Sequence, residues 1–189
     1  MIEIKNLSKS YGSNIVLDNF NLEIEKLTIV CVMGESGKGK TTLLNIILGI
    51  DCKDSGEILG IEGKTFSAVF QEDRLCDSLT AVRNIEIACP NVEKDTIIQH
   101  LLEVELTLDS IIKPIYELSG GMKRRVAIVR AILSNSDILV MDEPFKGLDE
   151  KTKAKCIDYV KKNINERYTI IVTHQINEAE MLGGYVVNL

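Results

Sequence analysis

Short apolar runs with two different spacings alternate along the 189-residue chain. In the first part they are brief and β-prone, at Ile2–Lys5, Ile15–Leu17, Phe20–Ile24 and Leu27–Val32. Ser8-Lys9-Ser10 and Gly12-Ser13-Asn14 punctuate them, a pattern that predicts an antiparallel flank of short strands and turns. The last run continues to Met33 and reads as a buried strand, and Leu43–Gly49 then reads as the first turns of a helix. Residues 51–63 are turn-rich, with a short strand opening at Ser55-Gly56, and Phe66–Phe70 is a second buried strand.

From residue 79 the spacing becomes helical. Thr80 is placed to cap a helix over Ala81–Ala88, which Pro90 closes. A second helix is expected from Val92 to about Glu105, with Ile97, Ile98, Leu101, Leu102 and Val104 on its apolar face. A third short piece at Leu108–Ile112 precedes Pro114. Ser119 then caps a helix running to Leu133. Ile138–Met141 reads as a buried parallel strand, and Glu150–Glu166 as an amphipathic helix with its lysines in solvent. Residues 168–173 form a last central strand, 175–182 a short helix and 184–189 a closing strand. Alternating strands and helices predict an α/β core with a mostly parallel sheet. The run at about 72–134 is expected to form a small helical subdomain inserted in that core, within one domain spanning 1–189.

Charge and composition narrow the field. The chain carries 22 basic and 28 acidic residues, a net charge of −6, and so has no overall attraction for nucleic acid or an anionic membrane. Its apolar content of 45% comes in pieces too short for the roughly 18 consecutive apolar residues of a membrane span. Residues 1–6 have neither the basic nor the apolar region of an export signal, so the chain is expected to remain in the cytosol. Cysteines 31, 52, 76, 89 and 156 stand singly, which argues against a metal cluster or a disulfide framework.

The chemistry begins between the first buried strand and the first helix, at Gly34-Glu35-Ser36-Gly37-Lys38-Gly39-Lys40-Thr41-Thr42. Its glycines let successive backbone amides curl round phosphate oxygens, and the following helix adds its N-terminal dipole. Lys40 supplies a cation for the β- and γ-phosphates, and Thr41 a hydroxyl for Mg²⁺. Asp142 and Glu143 end a strand, where the first can hold Mg²⁺ and the second can orient water. Gln71 and His174 also lie just past strand ends, the ligand-facing edge of an open α/β sheet. Ser119, Gly120 and Gly121 expose amides at a helix N-terminus and make a second potential anion site. Lys123, Arg124, Arg125 and Arg130 on that helix read as a solvated charged face. Tyr11, in the turn cluster 10–13, is an aromatic that can stack on a base; His100 reads as an ordinary structural histidine.

Gly34–Thr42, Gln71, Leu118-Ser119-Gly120-Gly121-Met122, Asp142-Glu143, Leu148-Asp149 and His174 occur in an order that resembles the ATP-binding cassette (ABC) ATPases over essentially the whole chain. The resemblance implies that fold, with ATP and Mg²⁺ as ligands. It implies that Tyr11 stacks on adenine and that Lys40 and the loop amides hold the phosphates. Thr41, Gln71 and Asp142 attend Mg²⁺, Glu143 is the catalytic base, and His174 reaches the γ-phosphate. Ser119, Gly120 and Gly121 would touch the ATP of a partner subunit, with Asp149 at the seam.

The same resemblance implies an ATP-dependent head-to-tail dimer, of two copies or with a related ATPase subunit. It also implies a separate transmembrane permease that holds the dimer at the cytoplasmic face of the membrane. Met122 replaces a common Gln and Thr42 a frequent Ser, and neither change removes a phosphate donor. The short stretches 51–66 and 72–117 imply a compact helical subdomain, and the end of the chain after the last strand implies no C-terminal regulatory domain. Residues 70–75, 117–122 and 142–149 look like importers of the nitrate, sulfonate and taurine type. An exporter ATPase, or a soluble cassette acting on DNA or ribosomes, is the alternative.

Overall fold

A computed structural model describes all residues 1–189. The strands are β1 (Ile2–Tyr11), β2 (Asn14–Ile24), β3 (Ile29–Met33), β4 (Ser55–Leu59), β5 (Phe66–Val69), β6 (Ile138–Asp142), β7 (Tyr168–Val172) and β8 (Tyr185–Asn188). The helices are α1 (Lys40–Ile47), α2 (Ala81–Ala88), α3 (Lys94–Glu103), α4 (Leu108–Ile111), α5 (Gly120–Leu133), α6 (Glu150–Asn163) and α7 (Ile176–Leu182). A single 3₁₀ turn at Ile115–Glu117 precedes α5.

The expected antiparallel flank is a three-stranded sheet in the order β2-β1-β4. Its first two strands are longer than the apolar runs suggest. Ser8-Lys9-Ser10 lies inside β1, not in a turn, and Tyr11 is its last residue. Register shifts between Ile4 and Leu7, Leu7 and Lys9, and Lys9 and Ser10 absorb the polar stretch. Such bulges keep pairing intact while breaking strict alternation, and alternation is what the sequence pattern reads.

The central sheet has the order β5-β6-β7-β3-β8, and all of its pairings are parallel. Every residue of β6 and β7 is buried, as a parallel sheet covered on both faces requires. Alternate residues serve two cores. Val30, Val32, Val140, Ile170 and Val172 face α1 and the inner side of the flank, where Ile2, Ile4 and Leu17 are buried. Cys31, Leu139, Met141 and Ile171 face the side packed with residues of α2, α3, α5 and α6. Helix α1 is therefore held between two sheets, and the loop before it cannot drift from the strand ends.

In the helical region Thr80 caps α2 by accepting from Arg83 N, and Ser119 caps α5 by accepting from Met122 N, both at 3.3 Å. Helix α3 is shorter than expected. Ile97, Leu101 and Val104 are buried, whereas Leu102 is 41% exposed, one step round the helix from the inward stripe. His100 bonds the Tyr159 hydroxyl through Nδ1 at 2.8 Å, a structural contact as expected.

The basic run on α5 is not the solvated face that its composition suggests. Arg124 is buried and donates to the carbonyls of Phe70 and Gln71 at 2.6 and 2.5 Å. Arg125 donates to those of Val104 and Glu105 at 2.9 and 2.7 Å. Arg130 reaches Arg74 and Asp73 at 2.8 and 2.9 Å. Irregular chain beside the helix presents carbonyls outside any ladder, and a planar guanidinium can serve two at once. Likewise Lys153 of α6 is buried, not solvated. It donates to Glu150 Oε1 and Gln175 Oε1 at 3.0 Å each and lies 3.5 Å from Glu178 Oε1.

Candidate nucleotide site

The loop from Gly34 to Gly39 turns at Gly37 and Gly39, whose φ angles are +84° and +89°. A Cβ at Gly39 would sit 2.5 Å from Val16 Cγ1 and 2.8 Å from the Val16 carbonyl oxygen. Only glycine meets both the torsion and the close approach of β2. No side chain caps α1, and its first turn carries no acidic residue, so its amide end is left to an external anion. Lys40 folds back across the loop and donates to the carbonyls of Gly34 and Glu35, at 2.7 Å each. The loop is thus preshaped, with its ammonium already at the strand end.

Two hollows flank Lys40. One, of about 300 Å³, is lined by Ser36, Gly37, Gly39, Lys40, Thr41, Thr42, Gln71, Asp142 and Glu143, with Val16 of β2 its one apolar wall. The other, of about 550 Å³, lies between Gly34, Glu35 and Ser36 on one side and Glu143, Lys146 and His174 on the other. Strands β3, β6 and β7 supply three of these walls from the same sheet edge. Lys40, Thr41, Gln71, Asp142, Glu143 and His174, distant in sequence, are brought together.

Thr41 donates from Oγ1 to Asp142 Oδ2 at 2.7 Å. Burial pushes the Asp142 carboxyl above the usual carboxylate range, against the lowering effect of that bond. A hydroxyl and a carboxylate in contact beside Gln71 are a donor set that suits Mg²⁺.

Glu143 has φ +46°, uncommon for a residue with a side chain, and its amide donates to the Val172 carbonyl at 2.9 Å. The carboxylate meets a cationic or titratable group on each side. His174 Nδ1 is 3.3 Å from Oε1, and Lys146 Nζ is 3.0 Å from Oε2. The lysine contact is an ion pair without hydrogen-bond alignment, so buried Oε2 keeps no hydrogen-bond donor. Burial raises the Glu143 carboxyl, but Lys146 and His174 more than offset it and hold it below its ordinary value. At neutral pH it is a carboxylate able to accept a proton from water.

Other sequence candidates lie elsewhere. Ser119, Gly120 and Gly121 line neither hollow. A Cβ at Gly120 would meet open space, and one at Gly121 would lie 3.3 Å from Leu148 Cδ2, so this helix end adjoins the turn 147–149. Asp149 caps α6 by accepting from Thr152 N at 3.0 Å. Tyr11 lines neither hollow; it is half exposed and donates its hydroxyl to Asp51, while the Lys9 ammonium sits 5.0 Å from its ring centroid. Lys38 and Thr42 are exposed on the loop and the first turn of α1, or nearly so, and Thr42 lines the smaller hollow.

Sequence reasoning missed Lys146, whose signal was its place three residues beyond Glu143 in a tight turn. It also missed the buried group behind His174. There Thr173 Oγ1 bonds Glu178 Oε2 and accepts from Gln175 N, while Lys153 holds Gln175 and Glu178. The loop carrying His174 is anchored from beneath by these contacts.

Comparison with known proteins shows the family and the fold. Residues 17–146 match the ABC transporter family. The chain is 34% identical to the taurine import ATP-binding protein TauB of Roseobacter denitrificans, over 98% of this chain and 76% of that protein. It is 39% identical to the aliphatic sulfonates import ATP-binding protein SsuB of Bacillus cereus, over 97% and 77%. Among solved structures it matches the ATP-binding cassette MJ0796, captured as a dimer in a post-hydrolysis state with ADP and Pi. That match has a TM-score of 0.87 at 31% identity and covers 100% of this chain and 94% of the other.

Proposed function

This chain belongs to the ABC transporter family, and on that footing we propose that its two hollows are half of an ATP site that a second copy completes. It is an ATP-hydrolysing, nucleotide-binding transporter subunit, and it acts with a separate membrane permease. The observation that carries the site reading is the convergence of Lys40, Thr41, Asp142, Glu143 and His174 on one sheet edge. In it the loop amides and Lys40 bind the phosphates, with Tyr11 near the adenine. Glu143 orients a water and takes its proton, and His174 holds the other side of that carboxylate. Thr41, Gln71 and Asp142 are the residues that would hold Mg²⁺, which when bound screens the phosphates and polarises the terminal one.

Ser119 and Gly120 are exposed and Gly121 partly so, and all three lie outside their own chain's hollows. Offered head to tail to a second copy, they cover its triphosphate, with Asp149 beside them at the seam. Two-fold symmetry then makes two such sites. Residues 72–134 act within the single domain as the arm that carries them.

Likeness to relatives named as import proteins for taurine and aliphatic sulfonates supports an importer of that type. No helix is long and apolar enough to cross a membrane. In this reading the separate permease holds the subunit at the cytoplasmic face of the membrane. No observation favours the DNA, ribosome or exporter alternatives, and the net charge of −6 is unsuited to the first two. Replacing Lys40 with Ala tests the reading, because the ammonium is expected to bind phosphate. Titration with a fluorescent ATP analogue should show weakened binding, and unchanged affinity would count against it.

A further inference from the structure

The turn after β6 brings a lysine back onto the carboxylate assigned as base. The Lys146 amide donates to the Glu143 carbonyl at 3.2 Å, which closes the turn. The Lys146 ammonium then lies 3.0 Å from Glu143 Oε2. We propose that Lys146 is a positioning residue, holding the Glu143 carboxylate toward the hollow and supplying the counter-charge that lets it share that space with a triphosphate. This rests on the ATPase reading of the same site.

The reason is electrostatic. A carboxylate base must approach a phosphate that carries several negative charges, and Asp142 adds another next to it. Lys40 is already committed to the Gly34 and Glu35 carbonyls and to the phosphate loop. His174 faces Oε1, but an imidazole is charged only when protonated. That leaves the Lys146 ammonium as the cation on the Oε2 side. Exposed ion pairs usually contribute little to stability. Here, however, the Glu143 side chain is 17% exposed and that of Lys146 54%, and both line one hollow. The pair therefore bears on the direction of the carboxylate more than on folding.

The test uses the full chain, with Mg²⁺ and ATP, and Lys146→Met, Lys146→Arg and, as a control for loss of surface charge, Lys94→Met on α3. For Lys146→Met, kcat should fall about tenfold, equivalent to about 1.4 kcal/mol. Its affinity for a fluorescent ATP analogue and its melting temperature should stay at parental values. Lys146→Arg should recover most of the rate, and Lys94→Met should match the parent. Parental kcat in Lys146→Met would overturn the proposal, as would an equal loss of affinity and rate, or failure of Arg to recover the rate. A parent chain that binds but never hydrolyses ATP would instead overturn the ATPase reading on which the proposal stands.

Discussion

At the scale of single residues, two positions concentrate the demands of the site. Gly39 combines a φ of +89° with a backbone-tight approach to Val16. Gly39→Ala should push β2 from the loop and weaken nucleotide binding, which calorimetric titration with ATP would register. Glu143 sits between Lys146 and His174 with one oxygen free of hydrogen-bond donors. Glu143→Gln keeps the shape but cannot take a proton. Turnover should drop by about 10²-fold or more, the usual size of a general-base effect, with ATP binding preserved. A phosphate-release assay beside a binding titration separates the two. Gly34–Thr42, Asp142-Glu143 and His174 were legible in the sequence because each lies at a strand end, where order along the chain predicts place in space. Lys146, Arg124 and Lys153 were not. A charged side chain looks the same in sequence whether its partners are water or carbonyls brought from elsewhere by folding.

Among elements, the buried charges act as staples. Arg124 ties α5, which begins at the Ser119 cap, to the Phe70 and Gln71 carbonyls and, at 3.2 Å, to the Asp73 carboxylate. Arg124→Ala would remove the buried guanidinium that bonds these partly exposed groups. A loss of about 1–3 kcal/mol is expected, the scale of lost hydrogen bonds to a charged group, and urea unfolding measures it. Lys153 ties α6 to the loop of His174 through Gln175 and Glu178. Burial lowers its affinity for a proton, but Glu150 and Glu178 more than offset this and raise its pKa. Because the folded value is the higher one, its stabilising effect is whole below the unfolded lysine pKa of about 10.4. That effect fades as pH climbs through the folded value. Melting curves of Lys153→Met should therefore lie below the parent near neutrality and converge with it at strongly alkaline pH. The order of elements was readable from apolar spacing. The full length of β1 was not, since its bulges conceal the alternation, and neither was the outward turn of Leu102 on α3.

For the whole molecule, one chain displays the glycine-rich loop 34–39 in one place and the exposed helix start at Ser119-Gly120 in another. The sequence already set these two glycine-bearing stretches apart, and in the fold residues 119–121 line neither hollow beside the loop. A second copy is the simplest way to bring them onto one nucleotide, and ATP then acts as the link between chains. Without ATP each chain has little reason to stay paired; with ATP held and not hydrolysed, the pair should persist. Sedimentation velocity of the Glu143→Gln chain, with and without ATP and Mg²⁺, measures this most directly. A monomer without nucleotide that becomes a dimer on adding ATP is the expected result. A dimer that needs no nucleotide, or a chain that stays monomeric when saturated with ATP, would contradict it.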